Sequence, residues 1–224
     1  MAKRSKKEKR ELGEFAVREL KKLYPEAVCA LDWQGQPWRL LVMGRLSAQC
    51  TDARVNTVCR ELFSVYPTLD DLADAPLEKI EDIIRPCGLF RTKAANIKDA
   101  CIRLRDEYGG VLPADMDELL KFEGVGRKIA NLLLGDVYGQ PAIVADTHCM
   151  RICGRLGFYA EGQKDPRRTE RIMSELIEPS EQSDFCHRIV QFGRDVCSAR
   201  APKCESCPLA EKCDLGAKKI SGKS

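Results

Sequence analysis

Four cysteines near the C-terminus are close enough in the sequence to act together as ligands. They are Cys197, Cys204, Cys207 and Cys213, in a C-x6-C-x2-C-x5-C run. Clustered thiolates select zinc or iron–sulfur centres, and four cysteine thiolates can hold a [4Fe-4S] cluster. Zinc sites more often combine two C-x2-C pairs, and only one such pair is present here. The run therefore favours a [4Fe-4S] cluster, with structural zinc and disulfides as the alternatives.

The other cysteines are consistent with a reducing environment. The chain has 12 cysteines and opens on a charged segment with no apolar signal region, and no apolar run is long enough to span a bilayer. We therefore expect a cytoplasmic protein with no membrane partner, in which dense cysteines indicate metal rather than disulfides. Most of the scattered cysteines should be small buried hydrophobes. Cys149 and Cys153, beside His148, are an alternative second metal site.

Positive charge is concentrated at the two ends of the chain. The formal net charge is only +3, while residues 1–10 contribute +5 and residues 216–224 contribute +3, so the body between them carries −5. Basic ends are usually solvated. We predict a disordered basic tail over residues 1–13 and a second basic tail over residues 216–224. Any nucleic-acid binding must then come from local geometry.

A glycine-containing turn between two helices places an amine where a nucleic-acid sugar could lie. The sequence predicts a helix from Asp115 to Phe122, a turn at Glu123-Gly124-Val125-Gly126, and a helix from Arg127 to Tyr138. Glycines let a turn approach a phosphate, and the helix that follows presents N–H groups and a positive dipole end to it. Lys128 lies on the first turn of that helix. An ordinary αα-hairpin that needs glycine is the alternative.

Asp146 is the second residue that could do chemistry. It lies eighteen residues after Lys128, at the position of an N-cap before a helix from Thr147 to Leu156. A purely structural cap is the alternative role. In the cysteine run, Arg200 and Lys203 lie between the first two cysteines and could bind phosphates.

The elements that must position these residues are helices. Apolar residues recur at helical spacing along the chain, for example in an amphipathic helix from Glu14 to Leu23. Thr51 and Thr68 are predicted helix caps, the latter with Asp71 in a capping box. No convincing strand, heptad run or internal repeat is present, so the predicted class is all-α.

Several motifs, in this order, resemble the endonuclease III family of base-excision DNA glycosylases. They are LSAQCTD at 46–52, CGLFRTKA at 87–94, GVGRKIAN at 124–131, VADTHCMRICGRLGF at 144–158, and the cysteine run. The resemblance extends from about residue 14 to residue 213. It implies an all-α, two-lobed helix-hairpin-helix glycosylase fold, with a six-helix barrel over 33–140. An iron–sulfur cluster domain would combine 14–32 with 141–215, and DNA would lie in the cleft between the lobes.

The same resemblance implies roles for individual residues. Lys128 would be the nucleophile that attacks C1′ of a damaged nucleotide, and Asp146 would stabilise the positive sugar and help activate the amine. β-Elimination from the resulting Schiff base would nick the strand 3′ to the lesion. Gln49 would fill the gap left by the extruded base, and Leu89 would wedge the opposite strand. The cluster is expected to organise its loop rather than to do redox chemistry.

The function that follows is base excision of oxidised pyrimidines, combined with cleavage at abasic sites. The substrate would be double-stranded DNA, the protein a monomer, nucleoid-associated if its source is bacterial. One alternative is a related glycosylase for other damaged bases, such as alkylated purines. Another is a non-catalytic DNA-binding cluster protein, against which Lys128 and Asp146 both count.

The sequence also departs from the family pattern at four places. Phe122-Glu123 replaces Leu-Pro before the glycine turn, and Ile129 replaces a common threonine. Cys149-Met150 replaces an aliphatic–aromatic pair, and Gly44-Arg45 interrupts a helix that is usually aliphatic. These departures leave the fold intact and bear on which lesion is preferred.

Overall fold

The computed structural model describes residues 4–220 and 222, and this part of the chain forms helices and loops without any strand. The α-helices are α1 (Lys6–Leu23), α2 (Pro37–Leu46), α3 (Asp52–Val65), α4 (Leu69–Asp74), α5 (Leu77–Ile84), α6 (Phe90–Tyr108), α7 (Met116–Leu119), α8 (Arg127–Tyr138), α9 (Thr147–Leu156), α10 (Pro166–Leu176), α11 (Gln182–Asp195) and α12 (Asp214–Ile220). The all-α prediction is confirmed. Among the described residues, no helix is both long and apolar enough to cross a membrane.

The chain divides into two compact units. One is the continuous stretch Cys29–Gly139, and the other combines Met1–Val28 with Gln140–Ser224. The first contains α2 to α8, and the second contains α1 and α9 to α12. The six-helix barrel and the cluster domain expected for these stretches remain predictions.

The core of the Cys29–Gly139 unit is built around α2. Leu40, Leu41, Val42 and Met43 are all at most 1% exposed, and α2 packs against α3, α6 and α8. A helix that is apolar on all sides is stable only when it is enclosed in this way. The start of α8 and the start of α6 are therefore supported from behind by a rigid helix.

The other unit has its own apolar core. Phe15 and Leu20 of α1 pack in one cluster with Ile152 of α9 and with Phe185 and Ile189 of α11. α9 contacts both α11 and α12, and α1 contacts α10 and α11. The N-terminal end of α9, where Asp146 lies, is thus held by helices from distant parts of the sequence.

The expected disordered tail over residues 1–13 is wrong for its described part. α1 begins at Lys6, and its N-terminus has a capping box. Ser5 Oγ accepts a hydrogen bond from Glu8 N at 3.3 Å, and Glu8 Oε2 accepts one from Ser5 N at 2.7 Å. A reciprocal pair of this kind satisfies two free N–H groups and starts the helix there. Residues 1–3 lie outside the described part of the chain.

Arg4 fixes the segment before α1 to the C-terminal segment of the same unit. Its Nη1 donates to Leu156 O at 2.7 Å and pairs with Asp214 at 2.7 Å. Its Nη2 donates to Lys212 O at 2.8 Å. These contacts give the N-terminal segment tertiary partners that its run of positive charge does not suggest.

The basic segment at 216–224 also begins as helix. α12 extends to Ile220, and Gly216 packs so closely that a Cβ there would lie 2.7 Å from Ala210 O. Residues 221, 223 and 224 lie outside the described part. The C-terminal end is therefore held against the segment that precedes it, at least as far as Ile220.

The first helix of the predicted hairpin is shorter than expected. α7 has one turn, capped by Asp115 Oδ1, which accepts from Asp117 N at 2.9 Å and Glu118 N at 3.0 Å. The chain then tightens, and Phe122 N donates to Leu119 O at 3.2 Å. Phe122, at the end of this tighter turn, is buried at 1% exposure.

Candidate active site

The glycine turn after α7 delivers Lys128 to the first turn of α8. Gly124 has φ +73°, a conformation that favours glycine, and Val125 N donates to Phe122 O at 3.0 Å. Val125 is buried, whereas Gly126 and Lys128 are exposed. Gly126 is the N-cap and makes no side-chain cap hydrogen bond. The positive end of the α8 dipole is therefore accessible to an anion, with the Lys128 amine beside it.

Arg45 supports the turn from within the same unit. A Cβ on Gly124 would meet the Arg45 guanidinium, so a larger residue here would displace that arginine, and the φ of +73° itself favours glycine. With its amide oxygen turned towards Arg45, Asn96 accepts a hydrogen bond from Nε at 3.2 Å. The arginine that interrupts the apolar α2 thus lies directly behind the hairpin.

Asp146 is the N-cap of α9, as predicted. Its Oδ1 accepts from Cys149 N at 2.7 Å, and its own N–H donates to Val144 O at 2.8 Å. The side chain is half-buried. Lys128 belongs to the Cys29–Gly139 unit and Asp146 to the other unit.

Three buried thiols lie beneath Asp146. Cys186 Sγ accepts from Val144 N at 3.3 Å and so fixes the segment that leads to Asp146. Hydrogen bonding to Cys153 and burial raise the pKa of Cys149 well above its ordinary value. Hydrogen bonding to Cys149 and burial do the same to the pKa of Cys186. Cys149 and Cys186 therefore behave as neutral core groups.

The four cysteines of the C-terminal run line one pocket. They share it with apolar side chains that include Ile152, Phe192 and Leu209. Burial raises the pKa of Cys207 to about 11, and the neighbouring thiols of the run add to the rise. Burial also raises the pKa of Cys213. A metal centre binds the thiolate form of cysteine, so binding here would release the protons of Cys207 and Cys213.

The described residues contain no preformed site for a single metal ion. Within residues 4–220 and 222, no three His, Cys, Asp or Glu side chains are grouped as they would be around one metal ion. This holds for the C-terminal run and for the alternative site at Cys149, Cys153 and His148.

Two arginines of α9 hold the start of the cysteine loop, and the sequence analysis missed both. Arg155 is 9% exposed, and it donates to Ser198 O and Ala199 O, both at 2.7 Å. Its Nη1 also lies 3.4 Å from Cys197 Sγ. Arg151 donates to Cys197 O at 3.0 Å. The signal available in the sequence was the spacing of four, which puts both cations on one face of α9.

Gln49 and Leu89 both have left-handed backbone. Their φ values are +54° and +48°, and each is exposed, Leu89 by 63%. This backbone conformation costs a non-glycine residue about 1 to 3 kcal/mol of conformational strain. It persists only where the surrounding structure imposes it. The structure therefore presents these two side chains to solvent from constrained loops.

Arg200 and Lys203 lie in the loop between Cys197 and Cys204. Both are exposed, and within the described residues neither side chain has a hydrogen bond or ion pair. Lys203 N donates to Val196 O at 3.0 Å, which closes the loop. The two cations are available to an anionic partner.

The comparison with protein families defines the class of this protein. Residues 42–179 match the model of the HhH-GPD superfamily of base excision DNA repair proteins. The glycine turn, Lys128 and Asp146 all lie inside the matched region, and the cysteine run follows it. The class is thus a helix-hairpin-helix protein of base excision repair.

Individual relatives narrow this class. Endonuclease III of Synechocystis sp. is 45% identical over 195 residues, which is 87% of this chain and 88% of the relative. Endonuclease III of Bacillus subtilis is 38% identical over 206 residues, 92% of this chain and 93% of the relative. The solved structure of a trapped endonuclease III–DNA covalent intermediate is 42% identical to this chain, with a TM-score of 0.87. The match covers 94% of this chain and 98% of that structure's chain. The chain belongs to the endonuclease III family, and it is a DNA glycosylase and AP lyase of base excision repair.

Proposed function

We propose that this enzyme removes oxidised pyrimidines from double-stranded DNA and nicks the strand 3′ to the abasic site. The observation that carries the proposal is the exposed amine of Lys128, on the first turn of α8 directly after a glycine turn. A phosphate bound at that helix end would bring a deoxyribose within reach of the amine.

The proposed reaction has two stages. Lys128 Nζ forms a bond to C1′, the bond from C1′ to the base breaks, and the base leaves with the electron pair. Loss of the amine's proton and opening of the sugar ring give a Schiff base. Removal of a proton from C2′ then breaks the C3′–O bond and releases the 3′ phosphate, which is β-elimination.

Asp146 would stabilise the positive charge that develops on the sugar. Its Oδ1 caps α9 through Cys149 N, but a carboxylate offers about four acceptor sites. Capping and electrostatic help are therefore compatible, and the cap fixes the direction of the side chain. Fixed charge of this kind requires no reorganisation during the reaction.

DNA is the proposed partner. Solved structures similar to this chain include endonuclease III in a covalent and in a non-covalent complex with DNA. Arg200 and Lys203 would bind phosphates, as would the backbone of Gly124, Val125, Gly126 and Arg127, while Gln49 and Leu89 would enter the duplex. We propose a monomer that acts in the cytoplasm, at the nucleoid if the source is bacterial.

A [4Fe-4S] cluster fits the pocket of the C-terminal run. Four thiols share one half-buried site with apolar walls, and Arg155 Nη1 lies 3.4 Å from Cys197 Sγ. Cys197, Cys204, Cys207 and Cys213 would be the ligands. When bound, the cluster would supply cross-links that hold the loop carrying Arg200 and Lys203.

Borohydride trapping on a panel of duplexes, each with one lesion or one abasic site, tests the proposal. Wild-type protein should form a covalent adduct with oxidised pyrimidines and abasic sites. Lys128→Gln should lose the adduct and the nick while still binding. Lys121→Gln is the matched control, since that exposed lysine pairs with Glu118 at 2.6 Å beside the same turn, and it should trap normally.

Asp146→Asn separates the second role. Asparagine also caps helices, so the variant should fold and bind as wild type does. Its excision rate should fall by about two orders of magnitude if the carboxylate stabilises the cationic sugar. Trapping that survives in Lys128→Gln would contradict the assignment of the nucleophile, and purine lesions as the best substrates would contradict the assignment of the base.

A further inference from the structure

Lys93 is a buried lysine whose amine is fully engaged by backbone carbonyls. It lies on the first turn of α6 and is 2% exposed. Its Nζ donates to Leu46 O at 2.9 Å, to Ala48 O at 2.7 Å and to Cys87 O at 2.8 Å. An ammonium group has three N–H donors, and all three are used here. A charge is tolerated in such a place only with a complete set of partners.

The three acceptors belong to two segments that are far apart in the sequence, the end of α2 with the loop after it and the turn before α6. Leu46 and Ala48 lead into Gln49, whereas Cys87 lies two residues before Leu89. Gln49 and Leu89 are the exposed residues with left-handed backbone, at φ +54° and +48°. One amine therefore holds the backbone within two residues of each of them.

This arrangement couples the positions of the Gln49 and Leu89 side chains. Their separation in the sequence does not by itself fix the distance between them. The conformations at Gln49 and Leu89 are strained, and such strain persists when nearby contacts determine the backbone. The hydrogen bonds to Ala48 O and Cys87 O are such contacts, made by a single rigidly buried group. Releasing that group would free both loops together.

We propose that Lys93 is a positioning residue for base extrusion, which holds Gln49 and Leu89 in register so that both enter the duplex in one step. The inference rests on the proposed function, in which these two side chains replace the extruded base and wedge the opposite strand. Lys93 is too deeply buried to contact DNA, so its effect passes through the two loops.

The chain offers a matched control on the same helix. Lys98 of α6 donates through Nζ to Ala73 O at 3.0 Å and to Ala75 O at 2.5 Å. It also joins a lysine to backbone carbonyls, but those carbonyls lie at the end of α4 and not in the Gln49 or Leu89 loop. Lys93→Met and Lys98→Met each keep an unbranched apolar stem and remove the donors.

The first measurement compares two substrates. Lys93→Met should lower single-turnover excision of an oxidised pyrimidine from duplex DNA by about tenfold to a hundredfold, because small misplacements are amplified at reacting centres. Cleavage of a preformed abasic site in single-stranded DNA should change little, since no base must be extruded and no opposite strand wedged. Lys98→Met should leave both rates near wild type.

The second measurement is a mutant cycle, which a general loss of stability cannot imitate. In a Gln49→Ala/Leu89→Ala background, Lys93→Met should lower duplex excision by less than about threefold, because the side chains it positions are already gone. If Lys93→Met does not fold, Lys93→Arg is used in the same cycle, since it keeps a cation and donors but displaces them. An equal loss in both backgrounds, or an equal loss on both substrates, would overturn the inference. Wild-type protein that excises no pyrimidine lesion would instead refute the proposed function.

Discussion

The α-carbon of Gly44 faces Ile129 across the contact between α2 and α8. A Cβ at Gly44 would lie 3.2 Å from Ile129 Cγ2 and 3.8 Å from Leu132 Cδ2. The first distance is tighter than an ordinary packing contact, so the space beside Ile129 exists because residue 44 is glycine. Two departures from the family pattern, at residues 44 and 129, therefore meet at one contact.

This contact predicts that an aliphatic residue at position 44 is harmful only while Ile129 is present. Gly44→Leu should lower the free energy of unfolding by about 1 to 3 kcal/mol through overpacking. In an Ile129→Ala background the same change should cost clearly less, because the cavity left by isoleucine can accept part of the leucine. Urea denaturation of the four proteins measures the coupling, and equal costs in both backgrounds would contradict it.

Arg155 joins one helix to a loop, since it connects α9 to the start of the cysteine loop. Its hydrogen bonds to Ser198 O and Ala199 O leave few free conformations to the segment that begins at Cys197. We expect the cluster-bound protein to be brown, and Arg155→Met to lose the colour faster than wild type under oxygen or chelator. The reason is that two backbone carbonyls of the loop and the sulfur of Cys197 lose their cationic partner.

The control for this prediction is Arg188→Met. Arg188 is 3% exposed and pairs with Glu181 at 2.9 Å and Asp184 at 2.6 Å in the same unit. Among the described residues it makes no hydrogen bond to the cysteine loop. Both variants should be less stable, since each removes the hydrogen bonds of a buried guanidinium. Only Arg155→Met should bleach early. Equal bleaching would mean that cluster retention follows overall stability.

Local elements could be predicted well because their causes lie within a few residues. The N-caps at Thr51, Thr68 and Asp146 are confirmed, and each depends on an N–H group no more than three residues away. The capping box of Ser5 and Glu8 has an equally local cause. The run of positive charge around it favours a solvated tail instead, and for that reason the prediction for the N-terminal tail is wrong.

Contacts between distant residues could not be predicted in the same way. Arg4 reaches Asp214, and Lys93 reaches carbonyls 45 and 47 residues earlier in the chain. Nothing in the local pattern around these residues identifies their partners, because packing of whole helices brings them together. The local pattern therefore indicates Lys128 as the candidate nucleophile. It does not indicate the proposed positioning role of Lys93, which depends on these distant carbonyls.

Ion pairs balance part of the positive charge at the N-terminal end, which the amino-acid composition alone does not show. Lys6 pairs with Glu175 at 3.0 Å and Arg4 pairs with Asp214 at 2.7 Å, so part of the N-terminal charge is already neutralised. Arg200 and Lys203 have no such partners among the described residues. Attraction to DNA phosphates should therefore come from the cysteine loop more than from the N-terminal end.

The salt dependence of DNA binding measures this difference. Each phosphate that a protein neutralises contributes about −0.9 to the slope of log K against log salt concentration. Arg200→Ala should make the slope of duplex binding shallower by about 0.9 if the guanidinium holds one phosphate, and Lys203→Ala should act similarly. Lys6→Ala removes the same charge from an exposed site where Glu175 already balances it, so its slope should stay at the wild-type value. If Lys6→Ala flattens the slope as much as Arg200→Ala does, the N-terminal helix binds DNA as a basic arm, and the cysteine loop is not the main phosphate contact.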